Sequence, residues 1–529
     1  MFEIPSLGIE DSPEPAPEIF NGESPNRSAS LRPVFAGMTA ALALLGCAAA
    51  GPDFRPPDPP AVGVYTPAPL PAETAAAAVE GGAAQRFVHG QDIPAEWWAL
   101  FRSPSLDGLI REALAGNPTL ALAQARIREA RETRLAQFGA LLPSVDAEVS
   151  ASRQKISGVS LGQADADRGA FSLFNASVNV SYSLDLFGGT RRRIEALEAE
   201  IEYRQFQLEG IHITLTANVV TTAVKEASLR SQIRATREIL AAQEKQLELA
   251  EQRLQLGGAS RSDVLVQQAQ LALTRAALPP LERDLEQTRH QLAVLVGRSP
   301  GEAALPEFEL AEILLPGQLP VSVPSILVRQ RPDIRAAEAL LHAANAAVGA
   351  ATADLYPQVT LSGRFGTAAE TAGGLFDGSS AVWSLGAGLL QPLFRGGALT
   401  AQRRAAVAVY DQAVAQYRET VLEAFRNVAD VLRALDADAR ELAAQAEADR
   451  AAQDALVLTR AQFEIGAVSY LSLLIAQSQQ QAARIGLVRA QAARLADTAA
   501  LFQAMGGGWW NRRETNGAAV GKAAREQGR

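Results

Sequence analysis

Three side-chain types in this sequence could carry chemistry: a hydroxyl in a Gly-x-Ser-x-Gly setting, four imidazoles and a single thiol. Ser160, between Gly158 and Gly162, has the spacing of a hydrolase nucleophile elbow, where a sharp turn from a buried strand into a helix exposes the serine for acyl transfer. The match lies inside KISGVSLGQADADRG, a polar stretch between two segments of strand character, so the required strand-to-helix turn is missing and catalysis by Ser160 is rejected. His89, His212, His290 and His342 show neither i, i+4 pairing nor carboxylates at metal-ligand spacing, and read as ordinary surface or interface residues. One cysteine excludes an internal disulfide framework and any cysteine-clustered zinc or iron–sulfur site. Gly-rich phosphate loops are absent, so neither a nucleotide nor any other cofactor, nor a bound metal, is expected. The balance of 49 basic against 58 acidic residues gives a net charge of -9, the wrong sign for a nucleic-acid partner.

The thiol has a different explanation. Arg32 precedes the apolar run VFAGMTAALALLG, which ends at Cys47. A charged start, a short apolar run and small residues at its end describe a secretory signal, and the run falls short of the ~20 residues a membrane-spanning helix needs. The sequence LLGC is similar to a bacterial lipobox, in which the chain is cut before the cysteine and the thiol is acylated, so residues 31–46 are expected to be a lipoprotein signal and Cys47 the lipidation site. Residues 1–30, polar and rich in Pro and Glu, read as an extension from a translation start placed too early.

The elements that follow must place whatever Cys47 anchors. Residues 47–96 are dense in Pro and Ala and read as an extended, polyproline-like tether packed on a surface at best. From Trp97 onward the chain is two copies of one plan, 97–315 and 316–508, followed by a flexible tail, 509–529. Asn117-Pro118 and Arg331-Pro332 open helices that close at Leu142-Pro143 and Tyr356-Pro357. Gly257-Gly258-Ala259-Ser260 matches Gly466-Ala467-Val468-Ser469, and LAVLVG matches LFQAMG. Residues 190–256 contain no Pro and only Gly210, and residues 398–465 contain neither, so each predicts one helix of ~65 residues, about 100 Å long. Returning helices at about 261–296 and 470–505 complete two antiparallel hairpins, the first broken at Pro279-Pro280.

Between the short and long helices of each copy, side chains alternate with period two, at about 144–156 and 171–185, then 357–367 and 381–393. In FNASVNVSYSL, Phe174, Ala176, Val178, Val180, Tyr182 and Leu184 alternate with Asn175, Ser177, Asn179, Ser181 and Ser183. Strands of this length can cross a bilayer when tilted. Four strands cannot close a barrel, and open edges in lipid would leave backbone groups unpaired at several kcal/mol each, so several chains must share one barrel. The expected fold is therefore mainly α with a transmembrane β-barrel portion and long helices, built from a tandem repeat.

The segments WWALFRSPSLDGLIREALAGNPTLALAQARIREAR, LVRQRPDIRAAEALLHAANAAVGAATADLYPQVTLSG, IGAVSYLSLLIAQSQQ and ALFQAMGGGW resemble the TolC-like outer-membrane factors over about residues 47 to 510. With CAAAGPDFRPP they are similar to the NodT/OprM lipoprotein branch that serves resistance–nodulation–division (RND) efflux pumps. That resemblance implies a homotrimer whose three sets of four strands close a twelve-stranded barrel in outer-membrane lipid and whose long helices make a hollow α-helical barrel in the periplasm. It also implies a passive exit duct for small toxic compounds, joined through a periplasmic membrane-fusion adaptor to an inner-membrane RND transporter, with no chemical step of its own. Two other readings share parts of the pattern: a duct for type I protein secretion, and a lipid-anchored coiled-coil spacer without a pore, which should lack the four strands. After signal removal Met505 is the only methionine, which disfavours soft-metal cargo.

The hairpin turns, far from the membrane, are the expected adaptor-docking rim. In the first copy it comprises Gly257, Ser260, Asp263, Val264 and Leu265; in the second, Gly466, Ser469, Tyr470, Leu473 and Leu474. Each also has an ordinary role: glycine for a left-handed helix end, serine for a cap, leucine for packing across the turn. Ile475 stands where family members often carry an acid, so no acidic gate is transferred; Arg253, Asp263, Arg460 and Glu464 are the charges expected to influence opening.

Overall fold

The computed structural model describes residues 49–155, 169–302 and 304–512; the signal, Cys47 and Ser160 lie outside the described residues. In chain order the elements are β1 (Arg86–His89), α1 (Pro104–Gly116), α2 (Pro118–Gly139), β2 (Ser144–Gln154), β3 (Phe171–Leu184), α3 (Gly189–Gln255), α4 (Arg261–Ala276), α5 (Leu278–Leu295), β4 (Gln318–Val321), α6 (Pro324–Gln330), α7 (Pro332–Ala353), β5 (Gln358–Ala369), β6 (Ala381–Leu390), α8 (Ala398–Glu464) and α9 (Tyr470–Ala504).

Both long helices, α3 and α8, run for 67 residues, about 100 Å at 1.5 Å per residue. Both start after a glycine in the left-handed region, Gly188 at φ 73° and Gly397 at φ 79°. At α3 the orphan N–H groups of Thr190 and Arg191 donate to the Asp185 carboxylate, 2.9 and 3.0 Å. The returning helix of the first copy divides at Ala277, because Pro279 and Pro280 have no N–H to donate back and instead occupy the first turn of α5. Its counterpart α9 has no proline and runs 35 residues without a break.

The four membrane-length strands form one antiparallel sheet in the order β2-β3-β5-β6, so the two copies join through β3 and β5. β6 stops at Leu390, short of the expected 393, since Pro392 cannot donate to a ladder. No described helix is long and apolar enough to cross a membrane.

Midway along the helices lies the main core, where Trp97 stacks on Phe502 at 5.2 Å and packs edge-on against Phe101. The expectation that residues 47–96 only lie on a surface is corrected here. Arg86–His89 pairs in parallel with Gln318–Val321, and Phe87 and Ile93 are buried in the core. The expected flexible tail from 509 is also corrected as far as residue 512. Trp509 Nε1 donates to the Gln330 carbonyl at 2.7 Å, Trp510 Nε1 to Asp92 at 2.9 Å, and Arg512 pairs with Glu209 at 2.7 Å.

Candidate conduit wall, strap and docking turns

The register of the sheet sorts its side chains onto two faces, because successive residues of a strand point to opposite sides. Rows such as Val178–Phe365–Trp383 and Val180–Gly363–Leu385 make one face apolar. On that face Phe365, Trp383 and Leu385 are each more than two-thirds exposed in the single chain. The opposite face carries Ser144–Ser181–Ser362–Gly386 and Asp146–Asn179–Arg364–Ser384. A contiguous exposed apolar band of membrane height faces lipid, and the polar face is left for water. β2 and β6 each keep an unpaired edge within the chain.

At the far ends of the hairpins the two turns repeat one geometry. The Gly258 N–H donates to the Arg253 carbonyl at 2.7 Å and that of Gly257 to Leu254 at 3.1 Å; Ala467 donates to Gln462 at 2.8 Å and Gly466 to Phe463 at 3.0 Å. This is a Schellman closure in both, with Gly257 and Gly466 each at φ 75°. Ser260 and Asp263 then form a capping box, the Ser260 Oγ accepting from the Asp263 N–H and the Asp263 carboxylate from the Ser260 N–H. The Ser260 hydroxyl, which donates to the Asp263 carboxylate at 2.7 Å, and then the Ser260 N–H hold that carboxyl below the usual range. Ser469 caps α9 alone, because Ser472 stands where the box needs an acid.

The named turn residues divide by exposure. Val264, Leu473 and Leu474 are buried within the hairpins, whereas Leu265 is exposed. Tyr470 lies against Phe463, with ring centroids 5.6 Å apart; its hydroxyl has no hydrogen-bond partner, and burial raises its pKa, with a further push from Asp263. The side chains that present apolar surface at this end include Leu256, Ile465, Leu471 and Ile475, with Ile465 81% exposed. Sequence reasoning singled out only Ile475 among them, because leucines on either side of a helix look alike until packing fixes the inner face, here at Leu473 and Leu474. Arg253 sits over the Phe463 ring at 5.3 Å, joining the two hairpins, while Arg460 and Glu464 are exposed.

The described chain begins two residues after Cys47, and its first turn is clamped at the junction of sheet and helix. The Ala50 N–H donates to the Phe187 carbonyl at 2.8 Å. Arg192, almost fully buried on the first turns of α3, donates to the Ala50 carbonyl at 3.0 Å and the Gly51 carbonyl at 3.3 Å, and pairs with Asp53 and Glu195 at 2.8 Å each. Asn345 holds the Pro52 carbonyl at 2.9 Å, and Phe54 stacks on His342 at 4.4 Å. Lower down, Arg433 donates to the Ala68 carbonyl. Buried Arg494 donates to the carbonyls of Gly81 and Ala83, Thr74 Oγ1 and Gln85 Oε1. Residues 49–85 are thus a strap fixed at both ends.

Burial, aided by the Arg512 charge, pushes the His212 imidazole down to about 4, so it is neutral. His342 Nε2 lies 3.0 Å from Glu195, and His89 and His290 are exposed. No group of side chains that could hold a metal exists among the described residues.

A sheet with one lipid-facing side, one polar side and two free edges, continued by helices about 100 Å long, defines a wall segment of an outer-membrane conduit reaching into the periplasm. The comparisons identify the same class. The chain belongs to the outer membrane efflux protein family, whose pattern matches residues 109–298 and 323–507. It is 32% identical over 452 residues to the pyoverdine export outer membrane protein OpmQ of Pseudomonas aeruginosa, covering 85% of this chain and 94% of that one. It is 31% identical over 471 residues to the toluene efflux pump outer membrane protein TtgF of Pseudomonas putida, covering 89% and 96%. The solved outer-membrane channel OprN superposes with a TM-score of 0.77 at 30% identity, covering 87% of this chain and 99% of that chain. The fold is TolC-like, and the protein is an outer-membrane exit duct for efflux.

Proposed function

We propose that three copies of this chain close a twelve-stranded barrel, β6 of each pairing with β2 of the next, to form the passive exit duct of a tripartite RND-type pump. The observation that carries this reading is the one-sided sheet with two unpaired edges on two 67-residue helices. An unpaired edge in lipid costs several kcal/mol per orphaned group, and closure among copies removes it. Cys47, two residues before the clamped strap, carries the acyl anchor; Arg192 and its neighbours hold the strap where the sheet leaves the membrane.

The turns dock the helical hairpins of a periplasmic adaptor, which links the duct to an inner-membrane transporter. Gly257, Ser260, Asp263, Gly466, Ser469 and Tyr470 shape that rim, Val264, Leu473 and Leu474 support it from within, and Leu265 supplies apolar surface together with Leu471 and Ile475. The chain performs no chemical step, and its cargo is small toxic organic compounds. Relatives named for pyoverdine and for toluene are similar to this chain over most of its length, as expected of a tube whose cargo is chosen chiefly by its pump.

The test is the mass of the unboiled oligomer together with conductance in a planar bilayer. A trimer with small conductance that grows when turn residues are altered is the expected result. A monomer that never conducts removes the duct.

A further inference from the structure

The four strands contain four charged residues, and their register gathers three of them on one face. Asp146 pairs across with Asn179, which pairs with Arg364, which pairs with Ser384; the adjacent row on that face is Glu148–Ser177–Gly366–Val382. Arg153, the fourth, has the opposite parity and stands on the apolar face near the far end of β2. Asp146 and Glu148 are about 7 Å apart along one strand, and Asp146 and Arg364 are about 10 Å apart across two strand spacings. The rest of the polar face is uncharged Ser, Thr, Asn, Gln and Gly with a few apolar side chains, so the three charges form a single band.

Within the band the charges do not cancel. The Asn179 amide donates to Glu148 Oε2 at 3.1 Å, fixing that carboxylate against the wall. No ion pair joins Arg364 to either acid among the described residues, and its Nε has no hydrogen-bond partner. Two carboxylates and one guanidinium leave one net negative charge per chain. Rings of fixed charge inside a pore act on every ion that passes, and narrow low-dielectric walls focus their field.

We propose that Asp146, Glu148 and Arg364 form a charge belt lining the β-section of the duct, which admits cationic solutes more readily than anionic ones. This rests on the reading of the polar face as the lumen of a closed trimer, where the belt carries three net negative charges. Asp146 and Glu148 are the specificity-determining groups, and Arg364 moderates them.

The closed turns at the other end would dominate a simple conductance measurement, so the test enters from outside. A thiol placed on the belt row by Ser384→Cys is treated in intact cells with the trimethylammonium-ethyl or the sulfonato-ethyl methanethiosulfonate. Each rate is divided by that of a free thiol in solution, and the unsubstituted chain serves as background. The expected preference for the cation is about tenfold, the low end of what focused fields give. Adding Asp146→Asn and Glu148→Gln should bring it close to one, and adding Arg364→Gln should raise it. Equal normalised rates with Ser384→Cys alone overturn the belt while leaving the duct intact. Failure of both reagents to react, in a correctly assembled oligomer, shows a face without water and overturns the reading of the polar face as the lumen together with the belt.

Discussion

Arg192 is the place where one substitution should detach the strap from the duct without unfolding it. Its guanidinium makes four contacts, and they differ in weight. The Glu195 pair lies within α3 and does not depend on the strap. The Asp53 carboxylate is 91% exposed, so that pair contributes ~0–1 kcal/mol. What holds the strap is the donation to the Ala50 and Gly51 carbonyls at 3.0 and 3.3 Å. A hydrogen bond with one charged partner is worth about 1.5–3 kcal/mol, and the longer bond sits at the lower end. Arg192→Ala should therefore cost about 3 kcal/mol of docking, roughly a hundredfold in the local opening equilibrium. Contacts of Asn345 with Pro52 and Phe54 with His342 remain. Hydrogen exchange of peptides covering residues 49–55 is the assay, since the Ala50 amide is protected by Phe187 and exchanges only when the strap lifts. Exchange there should quicken about a hundredfold, with Arg192→Lys intermediate because an ammonium cannot reproduce the fork. Less than a threefold change in an intact oligomer would refute the assignment of the clamp to Arg192.

Three further outcomes follow from the same geometry. Glu226 is fully buried and accepts from Arg230 at 2.6 Å, Arg289 at 3.0 Å and the Phe308 N–H at 3.1 Å; Glu226→Ala strands these donors and should cost about 3–5 kcal/mol in chemical denaturation, Glu226→Gln clearly less. A Cβ at Gly466 meets nothing within 4 Å, so Gly466→Ala carries only the left-handed strain of ~1–2 kcal/mol; melting should barely move, and a large loss of drug resistance would locate the defect in partner contact. Burial, then the facing Asp497 carboxylate, push the Asp438 carboxyl up to about 7, with Glu441 adding and Arg494 opposing. The folded chain thus holds a proton that the unfolded chain releases near pH ~4, and stability falls as pH rises from about 4 to about 7. Asp438 is half-buried, so Asp438→Asn should restore ~1 kcal/mol, raising the melting temperature by about 1–2 °C at pH ~8 and leaving it unchanged at pH ~4.

The parts of this molecule that sequence reveals are those fixed by neighbours along the chain. Alternation in FNASVNVSYSL is a local property, as is the near-absence of helix breakers through each 67-residue helix, where the single interior glycine, Gly210, costs only about 1 kcal/mol against alanine. Gly257 and Gly466 announce their turns because a left-handed helix end requires glycine nearly alone. What stayed hidden depends on residues far apart in the chain. RFVH and QLPV are each too short to read as strands, and they become β1 and β4 only because the strap brings them together beside the main core. Glu226 and Arg494 have the residue types of solvated helix faces, yet each is buried beneath a segment that sequence reading treated as a loop or tether. The conduit wall lies between these cases. Parity alone puts Asp146 and Glu148 on the polar side of one strand and Arg364 on the polar side of another. That Asp146 and Arg364 share a row depends on β3 pairing with β5 across the two copies, a register that no turn connects. A one-residue slip there would move Arg364 onto the lipid face, where a charge costs about 2–4 kcal/mol at the midplane. The charge that the inference uses as a filter therefore also helps to select the register that builds it.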